Sequence, residues 1–206
     1  MKRSGSYKAW LLLLFLFCLF IPFSSFGQEY GLEFAGQPNS KDQRTKLDLN
    51  PEGYFSFHGD FELSFSIQLR DMLPATFGYI ARIVDDDNQN IDIMFDGPNS
   101  HSLHVIYGQS LTNISIPDND PGIYEKWTEI RLKYNINNKT IHFYTPDTTI
   151  LHHEVDFSGK IKIFFGKNDF NPVQTTDVPR MNIKDIRIYQ KGKCLHHFPL
   201  NEITGN

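Results

Sequence analysis

Apolar and polar positions alternate without a break from Phe61 to Leu69. Phe61, Leu63, Phe65, Ile67 and Leu69 share one face, and Glu62, Ser64, Ser66 and Gln68 share the other. A period of two marks a strand with one side buried and one side wet. The pattern returns along the chain. Tyr30–Phe34 and Lys46–Asn50 read as short strands, and Phe77–Val84 as a longer one rich in β-branched and aromatic residues. Ile91–Phe95, Leu103–Tyr107 and Leu111–Ile116 follow. Trp127–Tyr134 and Thr140–Tyr144 form a hairpin across Asn135–Asn138. Ile150–Phe157, Lys160–Phe165, Met181–Tyr189 and Cys194–Leu200 complete the series. Asn50–Gly53, Asp85–Asn90, Gly97–Ser100, Pro117–Gly122 and Gly166–Val178 are the predicted turns and loops. In Met181–Tyr189 the apolar phase slips, from Met181 and Ile183 to Ile186 and Ile188, which predicts a β-bulge near Lys184–Asp185. About a dozen short strands at spacings of roughly 8–14 residues predict an all-β fold, two antiparallel sheets packed as a sandwich.

The first residues depart from this pattern. Lys2, Arg3 and Lys8 precede the apolar run Trp10–Ile21, Pro22 breaks it, and Ser25 and Gly27 are small residues at positions −3 and −1 of a cleavage site. Residues 1–27 therefore read as a signal peptide and residues 28–206 as one domain. The run is short for a membrane span of about 20 residues, so a retained anchor is the weaker alternative. A lipid anchor is disfavoured because Phe17 precedes Cys18. The chain is expected to be exported to the periplasm, cell surface or exterior. Cys194 is then the one remaining cysteine and has no internal disulfide partner. The formal net charge is −4, with no basic patch. That argues against nucleic acid as a partner, and no second apolar stretch suggests a membrane domain. Leu200–Asn206 ends abruptly, and the chain is expected to be the front module of a longer protein.

Two stretches resemble the laminin G-like, concanavalin A-like jelly-roll domains. One is Lys126–Tyr134 with its Asn-rich turn and Thr140–Tyr144, where a Trp opens a strand and its partner ends in an aromatic residue. The other, Met181–Tyr189, is similar to their closing strand, and Leu32–Phe34 and Phe61–Leu69 fall where those domains place theirs. The closing Tyr189–Gly192 resembles modules of secreted bacterial proteins. The resemblance implies a two-sheet antiparallel jelly roll. It includes lectins, protein-binding modules and modules attached to enzymes, so it fixes the fold before the function.

Candidate chemistry is sparse. Asp85, Asp86, Asp87, Asn88 and Asn90 form the densest oxygen cluster, with Asp118, Asn119 and Asp120 on another loop. Calcium takes six to eight oxygens, and related jelly rolls carry calcium at the rim. The spacing matches no known calcium loop, and a solvated acidic turn is the plainer reading. Asp92 and Asp96 share a face, as do Glu154 and Asp156. Two carboxyls are what glycoside hydrolysis needs, but polar residues on a wet strand face explain both pairs. His152–His153 and His196–His197 are adjacent, so each pair points to opposite faces, and the odd spacing of His101 and His104 has the same result. No zinc set converges, and no phosphate loop, His-Glu-x-x-His or Gly-x-Ser-x-Gly is present. Cys194 reads as a small core residue sharing a face with His196. Tyr54, Phe55, Phe57, Tyr144 and Tyr189 are the rings available to stack on sugars, if they are not core. The expectation is an exported, non-catalytic recognition module for a glycan or a partner protein, with no catalytic residues, metal or cofactor assigned. The alternatives are a glycan-active hydrolase or lyase of the same fold and a structural accessory domain.

Overall fold

The computed structural model describes residues 30–70, 76–117, 123–124 and 126–200. The expected leader and the acidic trio Asp118, Asn119 and Asp120 lie outside the described residues, as does the chain end after Leu200. Among the described residues fourteen strands follow in order: β1 (Leu32–Phe34), β2 (Lys46–Asp48), β3 (Phe55–Ser56), β4 (Phe61–Leu69), β5 (Phe77–Asp85), β6 (Asn90–Asp96), β7 (Ser102–Tyr107), β8 (Ser110–Pro117), β9 (Thr128–Asn135), β10 (Thr140–Tyr144), β11 (Thr149–His152), β12 (Lys160–Gly166), β13 (Met181–Gln190) and β14 (Lys193–Phe198). One sheet has the order β1-β13-β4-β9-β10-β11, with β14 also on β13. The second has the order β2-β12-β5-β6-β7-β8, with β3 also on β12. Every pairing between these strands is antiparallel. No helix among the described residues is long and apolar enough to cross a membrane.

The alternating pattern becomes the core. Phe61, Leu63, Phe65, Ile67 and Leu69 are all buried. They meet Ile83, Ile93, Val105, Ile163 and Phe165 from the facing sheet in one apolar cluster. Phe65 and Phe165 meet edge to face across the sheets, with centroids 5.0 Å apart and planes at 87°, a favoured aromatic geometry. The predicted bulge is present. The β13–β4 register shifts between Lys184 and Arg187, and Asp185 takes a positive φ of 53°. The bulge lets both halves of β13 bury their apolar residues although the sequence changes phase.

Two expectations need correction. The strand expected over Ile150–Phe157 stops at His152. Glu154 turns to φ 68°, and the chain crosses between sheets. Tyr134 anchors the crossing: its hydroxyl lies 3.2 Å from the carbonyls of Val155 and Phe157 and 3.1 Å from the Phe157 amide. Cys194 is not core but exposed. A second register shift, between Ile188 and Tyr189, leaves Leu195 unpaired. Cys194 then pairs with Tyr189 and His196 with Ile188, so Cys194 and His196 point to opposite faces.

Candidate functional site

The two sheets are joined along one side and part along the other. At the closed side, the Asn113 amide on β8 donates to the Leu151 carbonyl on β11 at 3.0 Å, and its oxygen meets His152 Nδ1 at 2.8 Å. At the other side β3 and β14 run at the edges of their sheets and leave a cleft of about 480 Å³. Its walls are Leu49, Asn50, Tyr54, Phe55, Ser56, Phe57, Leu195, His196 and Phe198. The volume lies within the roughly 300–1,000 Å³ usual for small-ligand sites.

Local sequence explains the shape. Asn50–Gly53 is a turn closed by the Gly53 amide on the Asn50 carbonyl at 3.3 Å, which lifts Tyr54 to the rim, 39% exposed. Phe55 then packs inward and meets His196 at 4.9 Å. A run of ring contacts continues into the core, from Phe55 to Phe57 at 6.4 Å, Phe57 to Phe61 at 5.3 Å and Phe61 to Tyr134 at 5.7 Å. The cleft wall is therefore continuous with the packed interior and is preformed, which lowers the entropy lost on binding. The Lys162 ammonium stands 5.6 Å from the Tyr54 ring centroid and donates to the Asn50 carbonyl at 2.9 Å, fixing the connector between β2 and β3. Of the five rings expected to be available to sugars, Tyr54, Phe55 and Phe57 converge here. Tyr144 and Tyr189 lie on the outward face of the other sheet, where Tyr144 stacks on His142 at 6.1 Å beneath Arg131.

The expected carboxylate pairs dissolve into separate roles. Asp92 does not sit on a wet face: it is 1% exposed. Arg82, from β5, forks onto its carboxylate and also donates to the Val173 carbonyl. The Asn90 amide adds a bond to Asp92 at 2.9 Å. Burial raises the Asp92 carboxyl pKa, and the Arg82 guanidinium opposes that shift. The loop Lys167–Arg180 covers this part of the sheet, so the polar alternation of β6 reports a buried network. Asp96 instead receives the Asn99 amides in a turn. Glu154 and Asp156 are off any strand and exposed.

The acidic loop also disperses. The Asp85 carboxylate accepts from the amides of Asp87 at 3.0 Å, Gln89 at 2.8 Å and Ser158 at 2.9 Å, so its oxygens shape two loops. Asp86 turns to Ser158 and Lys160, and Asn90 points to Asp92 on the opposite face. Among the described residues no three His, Cys, Asp or Glu side chains are grouped to hold a metal ion. His197 meets Asp185 at 3.1 Å, while His196 lines the cleft. Sequence reasoning missed His196 and Phe198 as cleft residues, because only the register shift in β14 turns them toward Phe55.

One row across β5, β6 and β7 holds Tyr79, Met94 and His104. Burial pushes the Tyr79 phenol up, helped by the charge of Asp92, and pushes the His104 imidazole down against the pull of Asp96. His152 is likewise lowered, mainly by burial. A histidine held neutral in the fold but protonated in the unfolded chain removes stability as pH falls through its unfolded value. The melting temperature is thus expected to hold above about pH 6.5 and to decline below it. His104→Gln with His152→Gln is expected to flatten that decline in thermal melts across pH, and an unchanged slope would show that other groups cause it.

No family model matches the chain, and no curated protein matches it. Solved structures with similar folds include a heptameric SAP-like pentraxin from Limulus polyphemus, at 11% identity, TM-score 0.50, covering 76% of this chain and 73% of that one. They also include the alginate lyase AlgAT5 of polysaccharide lyase family 7, at 15% identity, TM-score 0.48, covering 71% and 69%. Mouse laminin α1 domains LG4-5 match at 15% identity, TM-score 0.47, covering 82% of this chain and 44% of theirs. The fold is the concanavalin A-like jelly roll that the sequence resembled. The expectation that the chain is not an enzyme does not stand. Alginate lyases are among the solved structures of similar fold.

Proposed function

We propose that this domain engages a polysaccharide at the cleft between β3 and β14. The observation that carries the reading is the run of rings that opens from the core into that cleft. Tyr54 and His196 offer ring faces at its mouth, and Asn50 and Ser56 bring polar side chains for hydroxyls. Stacking on sugar C–H faces with a few polar contacts suits a carbohydrate better than a purely apolar ligand. An exported location agrees with the leader-like residues 1–27. Tyr54→Ala together with His196→Ala is expected to abolish binding on a glycan array, at an unchanged melting temperature since both side chains are at the surface. Retained binding would sink the assignment of this cleft.

A second reading is cleavage of a glycan on the face of the second sheet that points away from the core, where Tyr79, Met94 and His104 form one row. Release of new reducing or unsaturated ends, lost in Tyr79→Phe, would establish it.

A further inference from the structure

A second cleft, about 400 Å³, opens on the other side of the Asn50–Tyr54 connector. Pro51, Phe164 and Phe170 give it apolar surface. Phe164 is 5% exposed and backs Phe170, with centroids 5.6 Å apart and planes at 35°. Phe170 is half-buried and Pro51 is exposed, so these two rings carry the accessible apolar surface. The loop that brings Phe170 there is fixed from beneath. Asn168 and Thr175 are buried and exchange backbone bonds of 3.0 Å in both directions. The Asn168 amide donates to Thr175 Oγ1 at 2.9 Å, and its oxygen accepts from the Phe170 amide at 3.0 Å. The polar groups of Asn168 thus hold Phe170 against Phe164, and the wall is preformed.

The two clefts are joined through Lys162. Its ammonium stands 5.6 Å from the Tyr54 centroid, at the mouth of the first cleft, and 6.0 Å from the Phe164 centroid, in the second. The same ammonium donates to the Asn50 carbonyl at 2.9 Å and meets Asp48 at 3.5 Å. Lys162 is buried, so it holds the connector from below and fixes the spacing of the clefts. Neither cleft has a charge to spare. Among the described residues, no Asp, Glu, Lys or Arg lines the first. The second sets Lys46 and Lys167 against Asp48 and Asp169. Asp169 takes both lysines, Lys46 at 2.8 Å and Lys167 at 3.4 Å, one on each oxygen. Each ammonium has three donors and each carboxylate several lone pairs, so these pairs keep hydrogen-bonding capacity for hydroxyls while their charges cancel.

We infer that the second cleft is a further subsite for the same glycan, that the glycan chain crosses the Asn50–Tyr54 connector, and that its residues are neutral sugars. The inference rests on the glycan reading above and adds the class of sugar and the length of the site. Phe170 offers its ring to sugar C–H groups, and the paired lysines and aspartates offer donors and acceptors to hydroxyls. A sugar carboxylate meets no unmatched cation in either cleft and loses water on entry. Both subsites are preformed on one support, so a chain held at the first reaches the second with little further ordering cost.

The test titrates the intact chain with β-glucan, mannan and xylan oligosaccharides of rising length, and with oligogalacturonates. A neutral series is expected to bind, and its affinity to rise about tenfold once the chain reaches the second cleft, the worth of one ring contact. Phe170→Ala abolishes that rise and leaves the affinity for the shortest binding oligomer unchanged. Phe170→Leu, which keeps a side chain against Phe164, also abolishes it, whereas Phe170→Tyr retains it, so loss of the ring is told apart from loss of loop packing. Affinity independent of length, or a rise that survives Phe170→Ala, would overturn the second subsite and leave the first cleft standing. Tighter binding of oligogalacturonate than of every neutral series would overturn the neutral class. Binding of no probe would overturn the glycan reading as well.

Discussion

Arg82→Met is expected to destabilise the domain by about 3–5 kcal/mol, the usual cost of leaving one member of a buried ion pair alone. In a chain of this size that is a fall in melting temperature on the order of 10 °C. The reason lies in what each group meets. Asp92 is 1% exposed and Arg82 is 7% exposed. The guanidinium forks on the carboxylate and reaches the Val173 carbonyl of the covering loop. Without Arg82, Asp92 keeps one side-chain bond, from Asn90, and must either hold a buried charge or take up a proton. Arg82→Met combined with Asp92→Leu removes both charges and is expected to recover most of the loss. Thermal or urea unfolding of the two variants decides the point: if the double variant is no better than the single one, the cost is lost packing rather than an orphaned carboxylate.

Gly78→Ala is expected to cost about 2–3 kcal/mol, because the added methyl meets backbone and the conformation disfavours any side chain. Gly78 sits at φ +147°, and a Cβ there would lie 2.6 Å from the carbonyl carbon and oxygen of Asp177 and 2.6 Å from the Val178 nitrogen. The next residue binds the same loop, through the Tyr79 amide on the Asp177 carbonyl at 2.9 Å. A methyl at position 78 pushes this loop off the sheet at one point, as loss of Arg82 does at another. Chemical denaturation measures the loss. A change below about 0.5 kcal/mol, the scatter of surface substitutions, would show that the loop yields freely at Gly78.

The strands were legible because each side chain in an antiparallel sheet answers to a period of two, and local residues suffice to read it. Phe61–Leu69 came through with its boundaries intact, and the phase slip in Met181–Tyr189 located the bulge at Asp185. The sites were less legible. The alternation in β6 looked like a wet face, but that inference holds only if nothing covers the sheet, and the covering loop follows 75 residues after Asp92. Cys194 looked like core because a lone cysteine on a strand is usually a small buried hydrophobe, and the register shift that leaves Leu195 unpaired comes from pairing with β13. Tyr54, Phe55 and Phe57 were marked as possible sugar-stacking rings, yet nothing in their own segment distinguished them from Tyr144 and Tyr189.

The sequence by itself determined the all-β architecture, the apolar face of each main strand and the bulge in β13, since these follow from patterns a few residues long. Only the tertiary structure decided which polar residues are buried, which aromatic rings share a cleft and which lysines meet which acids. Those properties depend on strands and loops more than a hundred residues apart, such as Tyr54 and His196 or Lys46 and Asp169, and no local pattern records the meeting of two distant segments.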